Sequence, residues 1–487
     1  MERNTRSLSP LSEKQKRFAI DVLRFSITVL LVSGVILVTT PGPMRSEAQS
    51  QPAYTVASFN AGTNPSAAKI GDLDGDGLND IAVVNRQGDL QLFFNNGGGS
   101  FQRETLNGLW PSTANTRDLD IGDLNGDGRP DIAVAFSTQT GAVSVLLNQG
   151  SRSFAAPVNY NSCSFSKGVA IGDLDQDGDN DLADISGCNR SGILLNNGQG
   201  AFALSGAYGD GSASMSIALA DLNRDGSKDI AYLNDSSVTI LLNNGNATFG
   251  SPQVYWVWDA VDLALGDFEG DGTVDIGTVS SYYGLVFILI NGGDGEMVSY
   301  SEIPSYGSDA PTGMVVGDFN GDGRPLDFAL ISQGTNTLTV FFNQGYYTYG
   351  HTNAINIGQT PVDIAAGNLD GDSLPDLVSV NQGSGSISVL FTAVAAPPPP
   401  QPPPPAVDQI TLTVSTSKTR TARLVDLRWS GATSSNVDIY RNGSRRATVA
   451  NTGRYTDQFS RNATGSYRYK VCVAGGDVCS NEVRISF

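Results

Sequence analysis

The chain has 487 residues, enough for two to four domains with cores of their own. Its 56 glycines and 22 prolines, against only 16% charged residues, fit an all-β, turn-rich protein rather than a helical or disordered one. A formal charge of −19 repels phosphate backbones and argues against nucleic acid as a partner, and a single histidine leaves no multi-histidine zinc site and little histidine acid–base chemistry.

Residues 1–24 carry Arg3, Arg6, Lys14, Lys16, Arg17 and Arg24, and a 14-residue apolar run follows from Phe25 to Val38. A basic stretch, a short apolar stretch and a small-residue exit at Ser46-Glu47-Ala48 read as an export signal over residues 1–48. The run is short for a membrane span of about 20 residues. A cleaved signal peptide is therefore expected, with an uncleaved signal anchor as the alternative. Either way, the remainder is expected outside the cytoplasm, extracellular or at the cell surface, and touches a membrane only through this segment if it is uncleaved.

From residue 54 to 392 the chain repeats itself. Seven acidic segments begin at residues 72, 123, 173, 221, 267, 318 and 368, spaced by 46–51 residues. An apolar run precedes each acidic segment and another follows it; a third ends in most copies in an Asn-x-Gly turn, and a fourth leads to the next copy. Four short strands per copy, seven times over, predict a seven-bladed β-propeller. The last copy stops at its third strand, and Tyr54–Asn60 resembles a fourth, so the N-terminal segment is expected to complete the last blade. An open solenoid, the alternative, leaves that missing strand unexplained.

The acidic segments have metal-ligand spacing. The first offers Asp72, Asp74, Asp76 and Asp80 at positions 1, 3, 5 and 9, a glycine at position 6, and the Leu78 carbonyl at position 7. The second offers Asp123, Asn125, Asp127, Arg129 and Asp131; the third Asp173, Asp175, Asp177, Asp179 and Asp181. The fourth has Asp221, Asn223, Asp225, Ser227 and Asp229; the fifth Asp267, Glu269, Asp271, Thr273 and Asp275. The sixth, one residue longer, has Asp318, Asn320, Asp322, Arg324 and Asp327; the seventh has Asn368, Asp370, Asp372, Leu374 and Asp376, with Ser373 in place of the glycine. Residues named at position 7 act through their carbonyl oxygens. Alternating carboxylates on a tight loop converge hard oxygen ligands, which suits Ca²⁺ rather than Zn²⁺. One such loop is as easily an ordinary turn; seven predict up to seven calcium sites, one per blade, with the sixth and seventh weakest. Seven divalent ions would take the formal charge from −19 to about −5.

These loops, with the turn that ends in phenylalanine, closely resemble the FG-GAP/VCBS repeats also found in the integrin α-subunit propeller. The resemblance spans residues 54–392. It implies calcium in the hairpin between the first two strands of each blade and ligand binding on the opposite face.

Cys163 and Cys188 flank the first two strands of the third copy, and Cys472 and Cys479 flank a short turn; in an exported protein both pairs are expected as disulfides. Residues 393–406, with eight prolines between 395 and 406, read as a stiff polyproline spacer. Residues 407–487 read as seven short strands around Trp429, a small β-sandwich that resembles a fibronectin type III or immunoglobulin-like module.

The paired acids are nearly all committed to the loops, and no further acidic pair stands out for hydrolysis. The expected function is therefore non-catalytic: adhesion, or binding of an extracellular protein or glycan. A polysaccharide lyase or glycosidase on the same scaffold is the alternative. Trp110, Trp256 and Trp258 fall in or near connections between blades and are candidates to stack on sugar rings, and His351 reads as a surface or packing residue.

Overall fold

The computed structural model describes residues 52–110, 113, 115–137, 142–162, 165–186, 190–209, 214–234, 236–306, 309–324, 326–345, 347–393 and 410–487. The export signal, Cys163, Cys188 and the proline-rich segment lie outside the described residues. Two compact units emerge, Met1–Ala395 and Ala396–Phe487.

In the first unit each copy of the repeat folds into one antiparallel sheet. The first copy supplies β1 (Pro65–Gly71), β2 (Asp80–Asn85), β3 (Leu90–Asn95) and β4 (Phe101–Leu106), hydrogen-bonded in that order. The acidic loop joins β1 to β2, the β2–β3 hairpin lies at the other end, and the Asn-x-Gly turn after β3 returns to the acidic end. Both middle strands are buried along their whole length. A strand buried on both faces needs a partner on each side, so no sheet is stable alone.

The partners are the neighbouring sheets. Among its described residues the first unit has seven such sheets and seven hydrophobic clusters, each cluster shared between two sheets consecutive around the ring. One cluster joins the last sheet to the first: Val378, Val380 and Ile387 pack with Ala68, Ile81 and Phe93. Seven interfaces among seven sheets require a closed ring, because an open stack would have six. The first strands of the sheets likewise touch one another in a complete circuit around the centre. The fold is an all-β propeller whose blades are these sheets.

The ring closes with strand exchange between the two ends of the repeat region. Ala53–Asn60 pairs antiparallel with Ser386–Ala393, in register from Ala53 opposite Ala393 to Asn60 opposite Ser386. It supplies the fourth strand that the last copy lacks, and Phe59 on it packs edge-on against Phe93 and Phe101 of the first blade.

The second unit is a β-sandwich of a three-stranded and a four-stranded sheet. Leu412, Val425, Leu427, Trp429, Val437, Ile439, Tyr469 and Val471 fill the space between the sheets. The Trp429 indole donates to Asn451 Oδ1 at 2.8 Å, and a disulfide joins Cys472 to Cys479.

Deleting residues 49–60 removes the closing strand and exposes the edge of Ser386–Ala393. The melting temperature of the ring is expected to fall by more than about 10 °C, with aggregation above micromolar concentration, as read by circular dichroism and light scattering. An unchanged melting curve would show that the ring holds without strand exchange.

Candidate metal centres

The position-9 aspartates do the same work in every blade. Asp80 is fully buried; one carboxylate oxygen accepts the Leu73 N–H at 2.8 Å and the other the Asn95 N–H at 2.7 Å. Asp131, Asp181, Asp229, Asp275, Asp327 and Asp376 repeat the arrangement with the amides of their own blades. Each carboxylate thus pins the second residue of the acidic loop to the end of the third strand. Burial raises the pKa of these groups to about 6, and to about 7 for Asp275 and Asp327, against the opposing pull of their two amide donors.

The asparagine that ends the third strand carries the connection onward. Asn196 Nδ2 donates to the Asn180 carbonyl in its own loop and, at 2.8 Å, to the Leu124 carbonyl in the preceding blade's loop. Asn95, Asn148, Asn243, Asn291 and Asn343 make the same bridge to the preceding blade. The sequence had shown these asparagines only as turn residues; their recurrence at one position in six copies was the available signal.

Positions 1, 3 and 5 are more exposed and wind the loop around their own oxygens. Asp72 accepts the N–H groups of Gly75 and Gly77 at 2.7 and 2.9 Å, Asp74 that of Asp76, and Asp76 that of Leu78. Gly77 has φ of +88°, which explains the glycine at position 6. Asp123, Asp173, Asp267 and Asp318 accept the position-4 and position-6 amides as Asp72 does. In all seven loops the position-5 carboxylate accepts the amide of position 7, so Leu78, Arg129, Asp179, Ser227, Thr273, Arg324 and Leu374 are placed alike. Oxygens of Asp72, Asp74 and Asp80 lie within 4.8 Å of one another, as do those of Asp173, Asp175 and Asp177. Hard oxygens gathered so closely, with lone pairs left after their amide bonds, fit a Ca²⁺ ion.

The loops differ in instructive ways. Arg152 from the second blade bonds Asp74 at 2.8 Å while lying over the Phe94 ring, so the first loop has a built-in positive neighbour. Glu269 of the fifth loop accepts the Tyr347 hydroxyl from the sixth blade while staying close to Asp271 of its own loop. In the sixth, the extra residue is absorbed before Asp327, which takes the buried position normally. In the seventh, the Asn368 amide nitrogen donates to the Asp372 carbonyl where other loops keep a carboxylate oxygen, and Ser373 does not adopt the positive φ of the glycines. A donor in place of an acceptor disfavours a cation there.

Charge also collects at the centre of the ring. Asp118, Asp262 and Asp363 on first strands accept backbone N–H groups of the next blade's first strand, at Val169, Met314 and Ala68. Lys69 lies 4.0 Å from Asp120. Burial opposes its charge, but Asp120, Asp118, Asp363 and Asp262, contributed by three other blades, hold its pKa above the ordinary lysine range. Burial raises Asp118 to about 7 and Asp262 and Asp363 to about 6.

At the face opposite the acidic loops, Trp110 is not available for stacking: it is buried at 3% exposure between the first two blades. Trp256 and Trp258 are 74% and 63% exposed. Tyr282 and Tyr283, which the sequence reading passed over, are 80% and 56% exposed in the adjacent hairpin. His351 is exposed and stacks on Tyr306, with ring centroids 5.0 Å apart.

Two measurements test these assignments. Asn196→Ala removes a bridge between blades and leaves two carbonyls without it; it is expected to cost about 1–3 kcal/mol in denaturant unfolding. The second concerns pH. A carboxyl whose pKa is about 6–7 when folded and 3.8 otherwise holds its proton more tightly in the fold, so stability falls as pH rises from about 4 to about 7. The chelated protein is therefore expected to melt at a higher temperature at pH 5.5 than at pH 8. Calcium, which favours the ionised loops, is expected to reverse that order.

Four stretches of the chain, residues 72–134, 123–183, 221–278 and 267–325, match the family model described as the FG-GAP-like repeat. No curated protein is significantly similar to the chain. Among solved structures, BBS1N in complex with ARL6DN is similar in two crystals, one soaked with mercury and one with lead. Identity is 12% and 13%, coverage 71% of this chain and 99% of that one, and TM-score 0.51 in both. A lectin of Agrocybe aegerita that recognises non-reducing terminal N-acetylglucosamine is also similar, at 18% identity over 71% of this chain and 96% of that one, with a TM-score of 0.46. Repeat matches and fold together support an FG-GAP-type β-propeller.

Proposed function

We propose that this chain is an exported, calcium-dependent, non-catalytic binding protein that holds glycans on the face opposite its acidic loops. The observation that carries the reading is the distribution of exposed aromatic rings. Of the seven aromatic side chains that stand out as exposed among the described residues, six lie between Trp256 and Tyr306. Trp256 ends the last strand of the fourth blade, Tyr300 is on the outer strand of the fifth, and Trp258, Tyr282, Tyr283 and Tyr306 are on the connections and hairpin opposite the acidic loops. Single exposed apolar residues need no explanation, but a cluster marks a contact surface.

The cluster is held in place by its backbone. Ser281 N–H donates to the Asp259 carbonyl at 3.2 Å, and Tyr282 N–H to the Asp259 carboxylate at 2.8 Å. Ser305 N–H donates to the Gly284 carbonyl at 3.0 Å. The connection bearing Trp258, the hairpin bearing Tyr282 and Tyr283, and the connection bearing Tyr306 are thus tied together. Flat rings beside a carboxylate suit a sugar, whose C–H face stacks on the aromatic ring while its hydroxyls donate to the acid. Rings fixed in advance lose little entropy on binding.

Calcium has its place in the acidic loops, at the far end of the same strands. There it would neutralise the loops and stiffen the blades; the positions that would hold it are 1, 3, 5 and 9 with the carbonyl of position 7. The basic and apolar N-terminal segment supports export, and export places the protein where calcium is abundant.

Neutral glycans immobilised on a surface are expected to retain the calcium-loaded chain, and chelation to release it. Trp258→Ala combined with Tyr282→Ala is expected to weaken retention at least about tenfold with an unchanged melting temperature. Retention that survives the double substitution would overturn the assignment of the site, and absence of bound calcium in the native protein would overturn the metal reading separately.

A further inference from the structure

A second polar site lies away from the aromatic cluster, where the first and second blades meet at the face opposite the acidic loops. Ten buried side-chain polar atoms among the described residues have no hydrogen-bond partner, and three of them belong to one place: Arg86 Nε, Gln87 Oε1 and Trp110 Nε1. Asn85, Arg86 and Gln87 open the β2–β3 hairpin of the first blade. Trp110 is docked on that hairpin by its own N–H, which donates to the Gly88 carbonyl at 3.4 Å. Buried donors and acceptors left unpaired cost stability, so a concentration of them marks where a polar molecule belongs.

The charges there point the same way. The Thr116 hydroxyl donates to the Asn85 carbonyl, which sets Arg117 of the second blade beside Arg86 of the first. Burial and the Arg86 charge both pull the Arg117 guanidinium below its ordinary value. Neither arginine has a carboxylate within ion-pair distance among the described residues. The acid nearest in the hairpin, Asp89, is turned to the Gly108 N–H at 3.0 Å. A protein of net charge −19 has acids in plenty, yet here two guanidinium groups stand together without one. Like charges held in a half-buried seam repel each other until an anion joins them.

We propose that this seam binds a hydroxylated oxyanion, with Arg86 and Arg117 gripping its charged group, Trp110 Nε1 as a further donor, and Gln87 as an acceptor for a hydroxyl. The shared chemistry is an acidic sugar, either a uronate carboxylate or a sulfate ester, since a guanidinium fork fits both. The donors and the acceptor together distinguish the site from a bare anion trap, which has no use for Gln87 Oε1.

The chain has four tryptophans, so the indole N–H of Trp110 is a readily assigned reporter in ¹⁵N-labelled, calcium-loaded protein, with Trp110→Phe giving the assignment. The probes are sodium glucuronate, glucose 6-sulfate and neutral glucose, each at constant ionic strength. A saturable shift of the Trp110 indole with one or both acidic sugars, and none with glucose, is the expected result. Which acidic sugar responds tells carboxylate from sulfate. Arg86→Gln with Arg117→Gln is expected to weaken the response at least about tenfold with bound calcium and melting temperature unchanged. Should that double variant fail to fold, Arg117→Lys keeps the charge but loses the fork, and is expected to weaken the acidic sugar measurably. No saturable shift with either acidic sugar, an equal shift with glucose, or an undiminished response in the variants would overturn the proposal. Binding at the aromatic cluster is read from different residues, so the two sites fail or stand independently.

Discussion

The ring depends on one buried carboxylate in each blade. An unpaired carboxylate sealed in a β core costs several kcal/mol, and here seven are sealed in, each with both oxygens filled by backbone amides. One amide comes from the acidic loop and the other from the end of the third strand, so the aspartate fixes the loop to the sheet. The asparagine at that strand end then reaches the preceding blade's loop. Loop, aspartate, asparagine and next loop form a relay that runs around the propeller beneath its acidic face. The hydrophobic clusters supply attraction between blades, and the relay sets which residue faces which. Non-directional packing alone would not fix that register.

Much of this was legible because the repeat wrote it seven times. Acids at positions 1, 3, 5 and 9 and apolar runs of strand length gave the blades and the loops, and the missing strand of the last copy gave the closure. The second task of position 9 was not legible, because spacing alone does not show that a carboxylate in the loop also takes two backbone amides. Asn196 and its counterparts were hidden for a similar reason: Asn-x-Gly explains itself as a turn and asks for no further role. Trp110 looked like Trp258 in sequence, both being aromatic residues in connections. Only packing between the first two blades shows that one is core and the other surface. The arginine pair was invisible because Arg86 and Arg117 are 31 residues apart and meet only when two first-and-second-blade edges are brought together.

The acids divide into two kinds by depth. Those at position 9 are buried and answered by the protein itself, and the fold keeps them whether or not an ion is near. Those at positions 1, 3 and 5 are more exposed, repel one another, and fill part of their valence with loop amides. That division gives a base held by the protein's own amides beneath a rim whose charges are only partly answered. Arg152 against Asp74 and Arg129 against Asp127 show the chain partly answering its own rim charges. Partial neutralisation of this kind differs from loop to loop, so identical spacing does not give identical electrostatics.

The closing blade breaks the relay, and the break follows from how it is made. At the position where six blades carry the bridging asparagine, the seventh carries Thr392, whose backbone N–H still bonds Asp376 but whose hydroxyl has no partner. Its loop also has Asn368 and Ser373 in place of the acid and the glycine. What holds the blade is instead eight paired residues between the two ends of the repeat region and the clusters on either side. Backbone pairing and apolar packing do not need an ion. A ring closed this way keeps its relay in the blades formed from continuous chain, and has its one discontinuous blade secured by backbone pairing and apolar packing.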